Sequence, residues 1–228
     1  MVYSNINEGI FRTRPNRFIA EVEIDGVIEI CHVKNTGRCK ELFIPGARVY
    51  ITRSDKIERI TNYDLIAVWK NDRLVNVDSQ APNKVFNEHL QSGRYMEGVT
   101  HIKSEAKYGD SRFDFYVEAG ARKIFIEVKG VTLETDGIAM FPDAPTERGI
   151  KHLQGLARCI NDGYEAHVVF IIQMSGIRHF APNNITHPAF GAALSDVVKA
   201  GVRATALDCI VTPDSLIIAD LVPVILEM

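Results

Sequence analysis

The chain contains no apolar run approaching the roughly 18 residues that a membrane span needs, and its opening, MVYSNINEGIFRTRPNRF, has no apolar h-region. These absences lead to the expectation of a protein without a signal peptide or membrane segment. The four cysteines, Cys31, Cys39, Cys159 and Cys209, form no Cys-x-x-Cys pair. That argues against a zinc knuckle and for free thiols in a reducing cytoplasm. Trp69 is the only tryptophan, so clustered aromatic platforms of the kind that hold sugars are missing. Positive charge is also not in excess: 26 Lys and Arg against 29 Asp and Glu leave a net charge of −3. Any basic surface for nucleic acid therefore has to be local.

Short strands dominate what is present early in the chain. RFIAEVEI alternates, with Phe18, Ala20, Val22 and Ile24 on one face, and Asp25-Gly26 turns it into VIEICHV. PGARVYITRS and the two halves of TNYDLIAVWKNDRLVNVD supply further strands. Five strands in about 60 residues without a long helix fit a small OB-like β-barrel, and a change of character after Asp78 places a domain boundary near residue 77. The segment 78–228 then reads as helix, three strands, helix, strand, helix, strand. This is a mixed α/β arrangement, a central sheet flanked by helices. KVFNEHLQSG makes the first helix, ending at Gly93, and Thr146 caps the second.

The chemistry concentrates in the three strands. Glu127 and Lys129 in IFIEVKG are two apart on a strand and share a face, while Ile126 and Val128 point the other way. Asp114 lies on the preceding strand, and the turn-like AGARK link lets a hairpin bring it near Glu127. Two carboxylates supply hard oxygens for Mg²⁺ or Mn²⁺, and a lysine beside them stabilises charge on a phosphate or orients water. Gly130 allows the chain to leave the strand and a phosphate to approach. The same letters occur on any solvated strand face; the spacing across a hairpin, with a capped helix following, favours a PD-(D/E)xK nuclease-type site. Glu88, on the first helix, is a candidate third metal ligand or a surface glutamate. Arg148, Lys151 and His152 near the start of the second helix are candidates for phosphate contacts, helped by the helix N-terminus, or a plain polar face. Asp143 belongs to the turn or to the surroundings of the metal.

RTRPNRF places Arg14, Asn16 and Arg17 around a Pro-Asn bend, and HVKNTGRCKEL places His32, Asn35 and Arg38 in loop chemistry after a strand. Such residues beside a barrel suit phosphate and base contacts. Residues 1–75 hold 12 Lys and Arg against 10 Asp and Glu, the remainder 14 against 19. The bias has the sign expected of a binding module followed by a metal site, though it is small.

Six blocks, RPNRF at 14–18, HVKNTGR at 32–38, ELFIPG at 41–46, SRFDF at 111–115, EVKG at 127–130 and FPDAPTERGIKHL at 141–153, resemble in one order the sugar fermentation stimulation proteins, the SfsA family. The resemblance runs nearly end to end. It implies an OB-type domain followed by a PD-(D/E)xK nuclease-like domain, DNA binding, and a link to regulation of sugar, notably maltose, utilisation. The family name describes a phenotype and not a reaction. Three readings follow: a DNA-binding protein with a metal-dependent nuclease site, a non-catalytic DNA-binding regulator, and a sugar-responsive sensor. DNA is favoured over RNA, no membrane partner is expected, and the apolar tail ADLVPVILEM fits either internal packing or pairing with a second copy in a homodimer.

Overall fold

The computed structural model describes residues 1–35, 37–54 and 60–226. Its first six strands are β1 (Ile6–Asn16), β2 (Ile19–Ile24), β3 (Val27–Val33), β4 (Arg48–Arg53), β5 (Tyr63–Lys70) and β6 (Arg73–Asn76), ordered β3-β2-β1-β4-β5-β6. A parallel pairing of β3 with β5, from Cys31↔Tyr63 to Val33↔Leu65, closes β1 to β5 into a barrel, and β6 extends β5 outward. This connectivity is that of an OB-type barrel.

Five strands read from residue 17 onward correspond to β2–β6, so the barrel's own first strand escaped the pattern. The reason lies in β1, where only Gly9 and Phe11 are buried, and no apolar alternation survives. It is held by backbone pairing on both sides. Gly9 has to be glycine: a Cβ there would lie 2.5 Å from Val22 Cγ1 and 2.9 Å from the Glu23 carbonyl oxygen. Ala20 and Val22 point inward as the alternation predicts, but Phe18 sits in the β1–β2 turn and is 53 % exposed.

The rest of the chain comprises α1 (Ala81–Gln91), β7 (Val99–Tyr108), β8 (Ser111–Ala119), β9 (Arg122–Val131), β10 (Leu133–Thr135), β11 (Ile138–Phe141), α2 (Glu147–Asn161), β12 (Glu165–Ile172), β13 (His179–Pro182), α3 (Pro188–Lys199), β14 (Arg203–Thr212) and β15 (Ser215–Val222). Six of these strands form a mixed sheet, β15-β14-β12-β9-β8-β7, in which β9, β12 and β14 run parallel. A small sheet, β10-β11-β13, has no counterpart in the sequence pattern; strands of three or four residues are too short to show a period.

One face of the large sheet packs on α1: Ile124, Ile126 and Val128 meet Val85, Phe86 and Leu90. The other face carries Phe125 and Val131 into a core shared with α2, α3 and the barrel. Polar ties reinforce that junction. Glu134 Oε2 accepts from Lys70 Nζ (2.8 Å) and Oε1 meets Arg73 (2.8 Å). Gln173 Nε2 donates to Asn76 Oδ1 (2.9 Å) and the Asp78 carbonyl (3.0 Å). Among the described residues no helix is long and apolar enough to cross a membrane.

Candidate functional site

The β8–β9 ladder runs up to Phe115↔Ile126. Just beyond it, the Asp114 side chain takes the place of a ladder carbonyl, its Oδ2 accepting from Val128 N at 2.7 Å. Oδ1 accepts from Asn83 Nδ2 of α1 at 2.8 Å. Glu127, only 3 % exposed, lies on the neighbouring strand with one oxygen committed: Oε1 meets Lys129 Nζ at 2.5 Å and also His152 Nδ1 of α2. Its second oxygen, Oε2, is buried with no hydrogen-bond partner. The period of two thus puts Glu127 and Lys129 on one face, and the hairpin adds Asp114.

Electrostatics separate the two acids. Burial, and then the charge of Glu127, push Asp114 above the ordinary aspartate range, against the hydrogen bonds from Val128 and Asn83. Burial also disfavours the Glu127 carboxylate, but the hydrogen bonds from His152 and Lys129 outweigh it and hold its pKa below the usual glutamate value. Glu127 is therefore a buried anion with a free oxygen, and Asp114 a hydrogen-bonded carboxyl beside it. Among the described residues no three His, Cys, Asp or Glu side chains form a ready metal cage. A hard cation here would complete its shell with water or substrate oxygens, as Mg²⁺ commonly does.

Several candidates are placed elsewhere. Glu88 pairs through Oε2 with the Met1 ammonium at 2.7 Å and is 56 % exposed. It lies five positions after Asn83, about 140° around the helix, so α1 offers an asparagine to the site and not a glutamate. His152 is not a surface phosphate contact but the buried partner of Glu127, edge-on to Phe113. Arg148, one turn before it and exposed, donates from Nε to His152 Nε2 at 3.4 Å. Lys151 faces away, 3.4 Å from Asp110 Oδ2. The cationic cluster is thus split around α2, whose N-terminus Thr146 caps by accepting from Gly149 N (3.0 Å). Gly130 does not end β9; it makes room for Gln173 and Pro82, which a Cβ would meet at 2.7 and 2.8 Å.

On the barrel, Arg14 is not free for a ligand. Its guanidinium donates to the carbonyls of Gly37 (3.1 Å), Arg38 (2.8 Å), Arg17 (2.8 Å) and Asn35 (2.8 Å), and lies 4.7 Å from the Phe43 ring centroid. Asn35 is buried, and its Oδ1 accepts from Gly37 N. His32 meets Asp64 at 3.3 Å. Asn16 accepts from Phe18 N at 2.9 Å, forming the β1–β2 turn. Arg17 and Arg38 are exposed as expected, and with Lys40 they line an open groove of about 340 Å³ over Phe43. Asp143 joins the two halves: its Oδ2 accepts from Arg38 N at 3.1 Å. A second hollow, of about 170 Å³, lies between Asn35 and Gly37 of the barrel loop and Gly130 of β9. Sequence reasoning missed Asn83 and Gln173, which are local polar residues with no periodic signal. The four cysteines are free and buried, and burial raises each thiol pKa.

Residues 13–77 match the SfsA N-terminal OB domain, and residues 80–215 match the sugar fermentation stimulation protein RE domain. The chain belongs to the SfsA family. A sugar fermentation stimulation protein homolog of Desulfitobacterium hafniense (strain DSM 10664 / DCB-2) is 60 % identical over 224 residues, covering 98 % of each chain. The homolog of Clostridium beijerinckii is 58 % identical over 226 residues, covering 99 % of this chain and all of its own. Among solved structures, SfsA of Pyrococcus furiosus, in complex with Ca²⁺, superposes with a TM-score of 0.89 at 31 % identity, over 98 % of this chain and 97 % of that one.

Proposed function

We propose that this SfsA protein is a divalent-metal-dependent phosphodiesterase that binds nucleic acid, DNA in preference to RNA, through its barrel and cleaves it at Asp114, Glu127 and Lys129. The observation that carries this reading is Glu127 Oε2, a buried carboxylate oxygen without a partner beside a second carboxyl. Leaving such an atom unpaired is costly unless something binds it. A hard divalent cation, Mg²⁺ or Mn²⁺, fits these oxygens. Ca²⁺ in the Pyrococcus furiosus relative supports the same class of ion. When bound, such an ion polarises a phosphate oxygen and lowers the pKa of a water.

The chain's own residues do the rest. Asp114 and Glu127 supply the carboxylate oxygens from neighbouring strands β8 and β9, and His152 fixes Glu127 through Oε1. Lys129 is held within reach of charge developing on the phosphate. Arg17, Arg38 and Lys40 bind flanking phosphates as a local cationic surface on an otherwise acidic chain.

The test is incubation of the protein with labelled single- and double-stranded DNA and RNA in Mn²⁺, Mg²⁺ or EDTA, with Asp114→Ala and Lys129→Ala alongside. Metal-dependent cutting that both variants lose is the expected outcome. Binding without cutting under every condition would favour the second reading, a non-catalytic DNA-binding regulator of sugar-utilisation genes. One observation leans that way: Lys129 Nζ is engaged by Glu127.

A further inference from the structure

The two hollows flanking the barrel loop differ in chemistry and share a wall, Gly37. The groove over Phe43 is cationic, lined by Arg17, Arg38 and Lys40. Among the described residues, no lysine or arginine lines the smaller hollow; Asn35, Ser79, Thr132, Asp143 and Gln173 give it uncharged polar groups and one carboxylate, with Phe141 beside them. Its far wall is Gly130, the residue after Lys129. The barrel loop thus separates a cationic groove from a hollow with one carboxylate, whose wall at Gly130 is next in sequence to Lys129.

Resting on the nuclease reading, we propose that the smaller hollow, whose lining holds no cation among the described residues, receives one unpaired nucleobase, so that the substrate is a single strand threaded from the cationic groove to Lys129. A phosphate is a poor occupant, because Asp143 repels it and no lysine or arginine of the lining offsets its charge. A base is a better one. Its edge carries donors and acceptors in one plane, and the hollow supplies both kinds. Asn35 Oδ1 is taken by Gly37 N, which leaves its amide NH₂ as a donor. The Gln173 amide nitrogen is taken by Asn76 and Asp78, which leaves Oε1, next to Gly130, as an acceptor. Phe141 adds an apolar part to the lining. The hollow has a volume of about 170 Å³, room for a small planar group. A duplex would have to unpair a base to use it, at a cost of a few kcal/mol that a single strand avoids.

Fluorescence anisotropy in Ca²⁺ buffer tests this, with a labelled strand of ~16 nucleotides as DNA, as RNA, as the DNA duplex, and as a DNA strand carrying abasic sites in place of bases. The intact single strand should bind at least about tenfold tighter than the duplex, the factor that even ~1.4 kcal/mol of unpairing cost produces, and measurably tighter than the abasic strand, which has no base to place in the hollow. The DNA and RNA arms show which sugar is preferred. Ser79→Trp, at an exposed position on the rim, should fill the hollow and erase that preference. Mn²⁺ uptake by Ser79→Trp, measured by calorimetry, should match wild type and report an intact fold. Equal binding of single strand and duplex, or full retention of affinity by the abasic strand, would overturn the proposal. So would a folded Ser79→Trp that keeps the preference. Metal-dependent cutting without any strand preference would remove this inference and leave the nuclease reading standing; absence of all nucleic-acid binding would remove both.

Discussion

Glu134 offers the most quantitative test of how the two halves of the protein are joined. It is 6 % exposed and accepts from Lys70 Nζ (2.8 Å), Arg73 (2.8 Å) and Gly137 N (2.6 Å), linking the β5–β6 hairpin of the barrel region to the β10–β11 turn. Burial opposes its charge, but these partners prevail and lower its pKa from 4.5 to about 2. At about 1.36 kcal/mol per pH decade, that difference corresponds to about 3 kcal/mol of folding stability. The Lys70 and Arg73 side chains remain 21 % and 24 % exposed, so solvent screening reduces the figure to about 2 kcal/mol. The sign follows from the direction of the shift. A lowered carboxyl pKa gives stability that is fully present above the unfolded value near 4.5 and disappears as pH falls toward 2. Glu134→Gln keeps the shape and removes the charge. Urea denaturation at pH 7 should show the variant weaker by about 2 kcal/mol, and at pH 3 less than half of that gap should persist. A gap below about 0.5 kcal/mol at pH 7, or one of equal size at both pH values, would refute the reasoning.

Arg14→Lys should destabilise the protein by about 2 kcal/mol, because an ammonium cannot span four carbonyls; an unchanged denaturation midpoint would make Arg14 a candidate for ligand binding again. His152→Ala should weaken Mn²⁺ binding by about 10- to 100-fold in calorimetry, as loss of a group orienting a metal ligand does, with His152→Gln losing less. Equal affinities in wild type and His152→Ala would detach His152 from the site. Replacing Arg17 and Arg38 together by alanine should weaken nucleic-acid binding and lower the salt slope by about 0.7 for each single-strand phosphate that is no longer neutralised. An unaltered slope would remove the groove over Phe43 from the binding surface.

What the sequence by itself determined is local and periodic. Glu127 and Lys129 share a face because a strand repeats every two residues, and a turn of fixed length sets Asp114 across from them. Thr146 starts α2 because a hydroxyl there satisfies a free backbone N–H. Alternation and Asp25-Gly26 marked β2 and β3. Tertiary structure decided whatever depends on partners distant in the chain. Strand β1 carries too few apolar residues to be seen alone, and exists because β2 and β4 pair with it. The β3–β5 pairing that closes the barrel has no local signature. His152 and Asn83 reach the acidic site because α2 and α1 pack on opposite faces of β9, while Glu88, on the far side of α1, turns to the N-terminus. Arg14 looks like any exposed arginine until the folded chain brings four carbonyls to its two terminal nitrogens. Side-chain periodicity is a property of one element, whereas burial and hydrogen-bond partnership belong to the packed whole.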